Sequence, residues 1–349
     1  MPTVRNLEKG SYTTMTDNGT VTADDKDEFG VFMYQKANSA TAAPGTPSAA
    51  NVKFIYTKGS NIMSFDPAQA TQAAALTWEN LINGTGTNPY SYSFYSYYPY
   101  SATATSATAI PVEVPEAQIQ GKKNVSGAYT NSKDRTVSKY DFLFSKNISE
   151  VGATQTIDFV KATVPADRTV RFDYSHALSI VEFNFVKADA ITQDVWFSNL
   201  KLSGTQVYKQ GNINITDESP EVVPTTTGTL TTDANNAFGS AGRAKEKLVT
   251  TQYKNDVKKA IVRYQMLVFP AGVSTLGDVK LEVGFTKGTD AAMSNLNLSH
   301  NFVEGTAWEP GKRYKYNVIA NENSLMVELL KIDEWQTEDM GDIVVTPGN

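Results

Sequence analysis

The chain of 349 residues contains no cysteine and only two histidines. Without thiols there is no disulfide framework, no thiolate nucleophile and no Cys-ligated metal. Stability must come from ordinary burial. The absence does not fix the compartment, because many exported bacterial proteins also lack cysteine. His176 and His300 stand far apart and show no HExxH-like spacing, so the metal case is weak. His176 falls within a predicted strand and reads as a hydrogen-bonded core or edge histidine; His300 reads as part of an Asn-rich loop.

Other absences narrow the function further. No GxSxG elbow is present. Gly84-Thr85-Gly86 lacks the preceding strand and following helix of a phosphate loop. No run approaches the ~18–20 apolar residues a membrane span needs. No signal peptide is visible, since Met1 is followed directly by polar sequence. The chain therefore reads either as cytoplasmic or as a processed mature form. Charged residues make up 19% and the formal net charge is −6, which makes a poor partner for nucleic acid or anionic lipid. Lys254, Lys258 and Lys259, with Asp256 among them, read as an exposed charged turn. The acidic run Asp24, Asp25, Asp27 and Glu28 lacks EF-hand spacing. No catalytic, cofactor-binding or metal-ligating residue is assigned, and the chain is not read as an enzyme.

What the chain does have is aromatic and β-branched wealth: 17 Tyr and 16 Phe, with a 40% hydrophobic fraction. That composition favours strands and fills a core. The length suits two domains. Residues 1–28 read as an extended arm. Phe29–Tyr34 is the first β signal, and Val52, Phe54 and Tyr56 alternate with Lys53 and Thr57, although Ile55 blurs the period. Asp66-Pro67 to Gly84 has the punctuation of a short helix. Tyr90, Tyr92, Phe94 and Tyr98 share one face of a strand that Pro99 ends. Residues 101–138 read as a long irregular excursion, and a domain boundary falls near 165.

Beyond it, Val170, Phe172 and Tyr174 alternate, and the phase slips after His176, which suggests a β-bulge. Val195–Leu202 reads as a strand closed by Gly204, with a hairpin region from 207 to 215 and a Thr-rich loop over 217–250. Ile261–Phe269 forms an apolar strand. Val279–Phe285, Tyr314–Val318 and Leu325–Leu329 follow with period two, the last leading to Trp335. Recurring strands without βα alternation specify an all-β sandwich architecture.

Several ordered blocks together resemble the fimbrillin family, the pilins of Bacteroidales surface fimbriae (type V pili) and their Mfa-like relatives. The blocks are Phe29-Gly30-Val31-Phe32-Met33-Tyr34, Ser96-Tyr97-Tyr98-Pro99-Tyr100, Tyr140-Asp141-Phe142-Leu143-Phe144 and Phe172-Asp173-Tyr174-Ser175-His176-Ala177-Leu178-Ser179. They continue with Phe269-Pro270, with Trp308-Glu309-Pro310-Gly311-Lys312-Arg313-Tyr314-Lys315-Tyr316 and with Ile332-Asp333-Glu334-Trp335. Each block alone is unspecific; their order spans nearly the whole chain.

The resemblance implies two transthyretin-like β-sandwich domains, here 1–165 with the arm and 166–349 with a donor-strand tail. It implies export as a lipoprotein precursor through a lipid-modified Cys, absent from this sequence, and a place in a fimbrium at the cell surface. Contact with the outer membrane would come through the precursor's lipid anchor only. Family members lose their first strand to a trypsin-like protease that cuts after an Arg. Arg5, the only Arg before Phe29, is the candidate here. The family's donor is a C-terminal extension, which points to Ile343, Val344 and Val345. The expected partners are other pilin subunits and a host protein or glycan receptor, with no nucleic acid and no cofactor. The tail stays open to two other readings, a frayed end or an edge strand of the second domain. An alternative function is a non-polymerising glycan-binding surface module, with Tyr95 and Tyr97 as stacking platforms.

Overall fold

The computed structural model describes residues 2–5, 26–37, 49–57, 62–66, 68, 90–119, 122–123, 129–130, 136–147, 156–159, 170–216, 220–232, 246–251, 262–270, 278–289, 292–302, 307–335 and 343–344. Their elements are β1 (Pro2–Arg5), β2 (Lys26–Ala37), β3 (Ala49–Thr57), β4 (Ile62–Phe65), β5 (Tyr90–Tyr98), β6 (Ile110–Glu113), β7 (Ala117–Gln118), β8 (Lys122–Lys123), β9 (Tyr129–Thr130), α1 (Thr136–Lys139), β10 (Leu143–Asn147) and β11 (Thr156–Phe159). The rest are β12 (Val170–His176), β13 (Ser179–Lys187), β14 (Asp194–Asn214), β15 (Glu221–Thr232), β16 (Glu246–Lys247), β17 (Val262–Val268), β18 (Lys280–Thr289), β19 (Ala292–Asn301), β20 (Lys312–Ala320), β21 (Leu325–Glu334) and β22 (Ile343–Val344). The protein is all-β, as its sequence predicts. The helix expected from Asp66 to Gly84 lies mostly outside the described residues.

The first sheet runs β22-β1-β12-β10-β5-β2-β3-β4, with β11 pairing the start of β5. Its two ends, β22 and β4, come back within 8 Å of each other, Cα to Cα. The sheet is therefore curled, and it buries both faces of its central strands. Residues 29–34 of β2 are consecutively buried, except that Gly30 has no side chain to bury. On the inner face Phe29 packs on Tyr98 and Tyr174, with ring centroids 5.1 and 5.3 Å apart. On the outer face Phe32, Tyr97 and Phe142 stack in series at 6.0 and 5.8 Å. Gly30 makes that series fit: a Cβ there would lie 2.1 Å from Cε1 of Tyr97.

The second sheet system is a sandwich. A four-stranded sheet, β17-β13-β20-β21, faces a seven-stranded one built on β19-β18-β14-β15-β7, with β16 and β6 added along β14. Phe185 of β13 meets Phe197 of β14 across the gap at 4.5 Å. Phe285, Tyr264 and Tyr316 join the same continuous core. Trp308 is fully buried there, and its Nε1 donates to the Tyr316 hydroxyl at 3.1 Å. Burial pushes the Tyr316 phenol up to about 12.

Four sequence expectations are corrected. The phase slip after His176 is not a bulge. β12 ends there, Ala177 and Leu178 turn inward, and β13 begins in a different sheet. The Thr-rich segment over 217–250 is not wholly a loop, because β15 forms a ladder with β14. Alternation failed to show it, since its side chains are largely Thr on both faces. Val195–Leu202 and the region after Gly204 are one strand, β14, which passes through Gly204 at φ +140°. The Cβ of any other residue at 204 would fall 1.9 Å from the Asp278 carbonyl oxygen. His300 lies in β19 rather than a loop.

Sheet membership crosses residue 165 in both directions. β12 belongs to the first sheet, while β6 and β7, from the excursion after Pro99, belong to the second system. Ile110–Glu113 pairs with Gln210–Ile213. The Gln118 side chain accepts from the Leu267 amide at 3.1 Å, and the Tyr264 hydroxyl donates to the Gln118 carbonyl at 2.6 Å. The segment thus straps the first sheet to the sandwich.

Candidate assembly interface

Both chain ends lie in one corner of the first sheet. β1 pairs in parallel with β12, Pro2 opposite Val170 through Arg5 opposite Asp173. On its other side β1 pairs antiparallel with β22, Thr3 opposite Val344 and Val4 opposite Ile343. The local sequence suits this. Proline is tolerated as the first residue of a strand, and Thr, Val and Ile are good strand formers. A four-residue strand held on one side by parallel pairing is weakly held, because parallel ladders are the less stable per residue. If β1 left, one edge of β12 would present unpaired N–H and C=O groups, the other edge being filled by β10.

The structure therefore brings Arg5 and the tail residues Ile343 and Val344 together. Arg5 is the last residue of β1. Val345 lies outside the described residues. The tail is an edge strand of the first sheet, not of the second, and its partner is the N-terminal strand itself. The β-branched pairs Thr3-Val4 and Ile343-Val344 carry a local strand signal, although residues 1–28 read from sequence only as an extended arm. Nothing local says that they pair with each other.

The tyrosine reading is corrected at Tyr97. Tyr97 is 0% exposed, and its ring is sandwiched between Phe32 and Phe142. Its hydroxyl donates to Asn51 Oδ1 at 2.7 Å and also contacts Ser101. No ring face is left for a ligand. Burial drives this phenol far above its ordinary value. Tyr95 is half-buried, edge-on to Tyr34 at 5.6 Å, and packs against the core.

His176 is a core residue. Its Nδ1 lies 3.0 Å from Asp141 Oδ1, and one ring face is covered by Trp335. Among the described residues no group of three or more His, Asp or Glu side chains is placed to hold a metal ion. None of their helices is long and apolar enough to cross a membrane.

A family model described as fimbrillin-like matches residues 13–335. Among solved structures, the chain is similar to a fimbrial protein from Bacteroides vulgatus, at 13% identity over 95% of this chain and 100% of that one, with a TM-score of 0.48. It is also similar to the C-terminally truncated tip fimbrial protein Mfa3 from Porphyromonas gingivalis, at 9% identity over 96% of this chain and 99% of that one, with a TM-score of 0.37. No curated protein matches the chain.

Proposed function

Because the chain belongs to the fimbrillin-like family, we propose that it is a structural subunit of a cell-surface fimbrium that assembles by exchange of its first strand. Cleavage after Arg5 removes β1. The vacated edge of β12 then accepts a strand from the next subunit, supplied by the tail around Ile343, Val344 and Val345. Such β-augmentation satisfies the open ladder, and head-to-tail contacts that do not close build a filament. The observation that carries the reading is the extent of β1, which ends at Arg5, so that one cut there removes the whole strand.

The partners are other fimbrial subunits, with adhesion to a host protein or glycan as the role of the finished fibre. Export as a lipoprotein precursor belongs to the same proposal. So does the division into two transthyretin-like sandwiches at 1–165 and 166–349, with β12 and β6–β7 as segments traded across it. The burial of Tyr97 takes one of the two stacking tyrosines from the alternative, a non-polymerising glycan-binding module, and leaves it with the half-buried Tyr95.

The test compares the full chain, Arg5→Ala and a chain lacking residues 341–349 under limited digestion by an Arg-specific protease. Electron microscopy and denaturing gels read the outcome. Multimers are expected from the full chain alone, with all three proteins folded by circular dichroism. Filaments from the tail deletion, or from Arg5→Ala after the same digestion, overturn the mechanism.

A further inference from the structure

β21 ends the four-stranded sheet, with one edge on β20 and no strand on the other edge among the described residues. It is also the most apolar exposed strand they contain. Met326, Leu329, Leu330 and Ile332 are 44%, 46%, 44% and 50% exposed. Natural sheets guard such edges with charge, proline, bulges or a covering element. β21 carries a bulge, but the bulge gives the strand a second property.

The register with β20 slips by one residue, so that Lys315 faces Lys331 while Tyr316 faces Leu329. Leu330 is the extra residue. On either side of it the faces are fixed by β20. Val327, Leu329 and Ile332 lie with Val318, Tyr316 and Tyr314 on the sandwich face; Met326, Glu328, Lys331 and Asp333 lie with Ile319, Asn317, Lys315 and Arg313 on the outer face. With Leu330 set aside, the strand reads the same way from both ends about Leu329. Glu328 and Lys331 flank the centre on one face, and Val327 and Ile332 flank it on the other.

We propose that β21 pairs antiparallel with β21 of a second copy, about a two-fold axis at Leu329. Antiparallel neighbours must share a face, and the bulge supplies that parity. Glu328 of each copy then faces Lys331 of the other, Val327 faces Ile332, and Leu329 faces Leu329. Opposite charges and apolar pairs directly across a ladder are the favourable combinations. The contact is isologous and needs no partner but the chain itself. It joins two four-stranded sheets into one of eight and uses neither β1 nor β22. It does not rest on strand exchange.

The chain's lack of cysteine makes the test clean. Sedimentation equilibrium of the undigested full chain, from micromolar to millimolar concentration, reads the monomer–dimer balance. Glu328→Lys places Lys opposite Lys twice and should weaken association about tenfold, as should Lys331→Glu. The double variant Glu328→Lys/Lys331→Glu restores the pairs and should recover the wild-type balance. Leu329→Cys, at an exposed position, should give a disulfide-linked dimer on mild oxidation, since facing Cβ atoms across a ladder are within bridging range. Met293→Cys on β19 should not. A monomer throughout with no cross-link overturns the proposal, and so does a dimer indifferent to both charge reversals. A dimer that survives charge reversal but is lost on deleting residues 343–349 assigns the contact to the tail and overturns it as well.

Discussion

His176 lies flat against Trp335, with ring centroids 3.9 Å apart and planes 6° from parallel. One ring ends β12 in the curled first sheet; the other follows β21 in the sandwich. Around them the turn Glu309-Pro310-Gly311-Lys312 is closed by the Lys312 amide on the Glu309 carbonyl. Gly311 sits at φ +70°, as the third residue of a type II turn requires. It donates to the Leu178 carbonyl at 2.9 Å and accepts from the Trp335 amide at 2.7 Å. The stack is a clasp between the two sheet systems.

Trp335→Ala should therefore cost about 3–5 kcal/mol, the range for truncating a large buried aromatic side chain. Trp335→Phe should cost clearly less, because it keeps a ring against His176. Urea unfolding followed by circular dichroism reads both. A loss within about 0.5 kcal/mol, typical of uninvolved surface positions, would mean that the clasp holds nothing.

Glu182 predicts an acid-sensitive contribution. It is 2% exposed on β13. Burial raises its pKa, but the Arg313 guanidinium, the Gln265 amide at 2.7 Å and Arg263 outweigh burial and hold it below the ordinary value of 4.5. A carboxyl depressed in the folded state adds stability above its unfolded value and loses it as pH falls through the folded one. Wild-type stability should thus fall more steeply below about pH 4.5 than that of Glu182→Gln. At neutral pH the variant should be less stable by about 1–3 kcal/mol. That is under the range for fully buried pairs, because Arg313 keeps contact with water. Parallel pH profiles for the two proteins would contradict this.

At Gly30 the prediction is steric. A methyl group there meets the Tyr97 ring, and overpacking of this kind costs about 1–3 kcal/mol. Gly30→Ala/Tyr97→Leu should be destabilised by less than the sum of its single changes, the mark of a shared contact. Additive losses in denaturant melts would show that the ring relaxes elsewhere.

Tyr97→Phe should lose about 1 kcal/mol of stability through the hydroxyl's bond to Asn51. Glycan-array binding should be unchanged by it, because the ring is enclosed. A selective loss of sugar binding with unchanged stability would restore a ligand role.

The strands easiest to see in the sequence were those with one solvated face. Tyr314 and Tyr316 alternate with the half-buried Arg313 and Lys315, and β20 begins there. Harder were strands whose surroundings are set by distant chain. Residues 29–34 read as a strand, but their burial on both faces is what no alternation could announce. Ile110–Glu113 is a four-residue strand whose partner stands about a hundred residues away in sequence. Tyr97 looks the same in sequence whether it faces water or Phe142. Arg5 and Ile343 were singled out separately. Their meeting depends on how the first sheet curls, a property of the whole sheet.

The placing of β1 has one more consequence. Among the described residues β1 is the only ladder partner of β22. Losing it would unmoor the tail in the same event that bares β12. Socket and plug would be armed together, one of each per molecule, and an uncut molecule would have neither to offer. On the proposed mechanism, the latch that holds strand exchange off would be the same few residues on both counts.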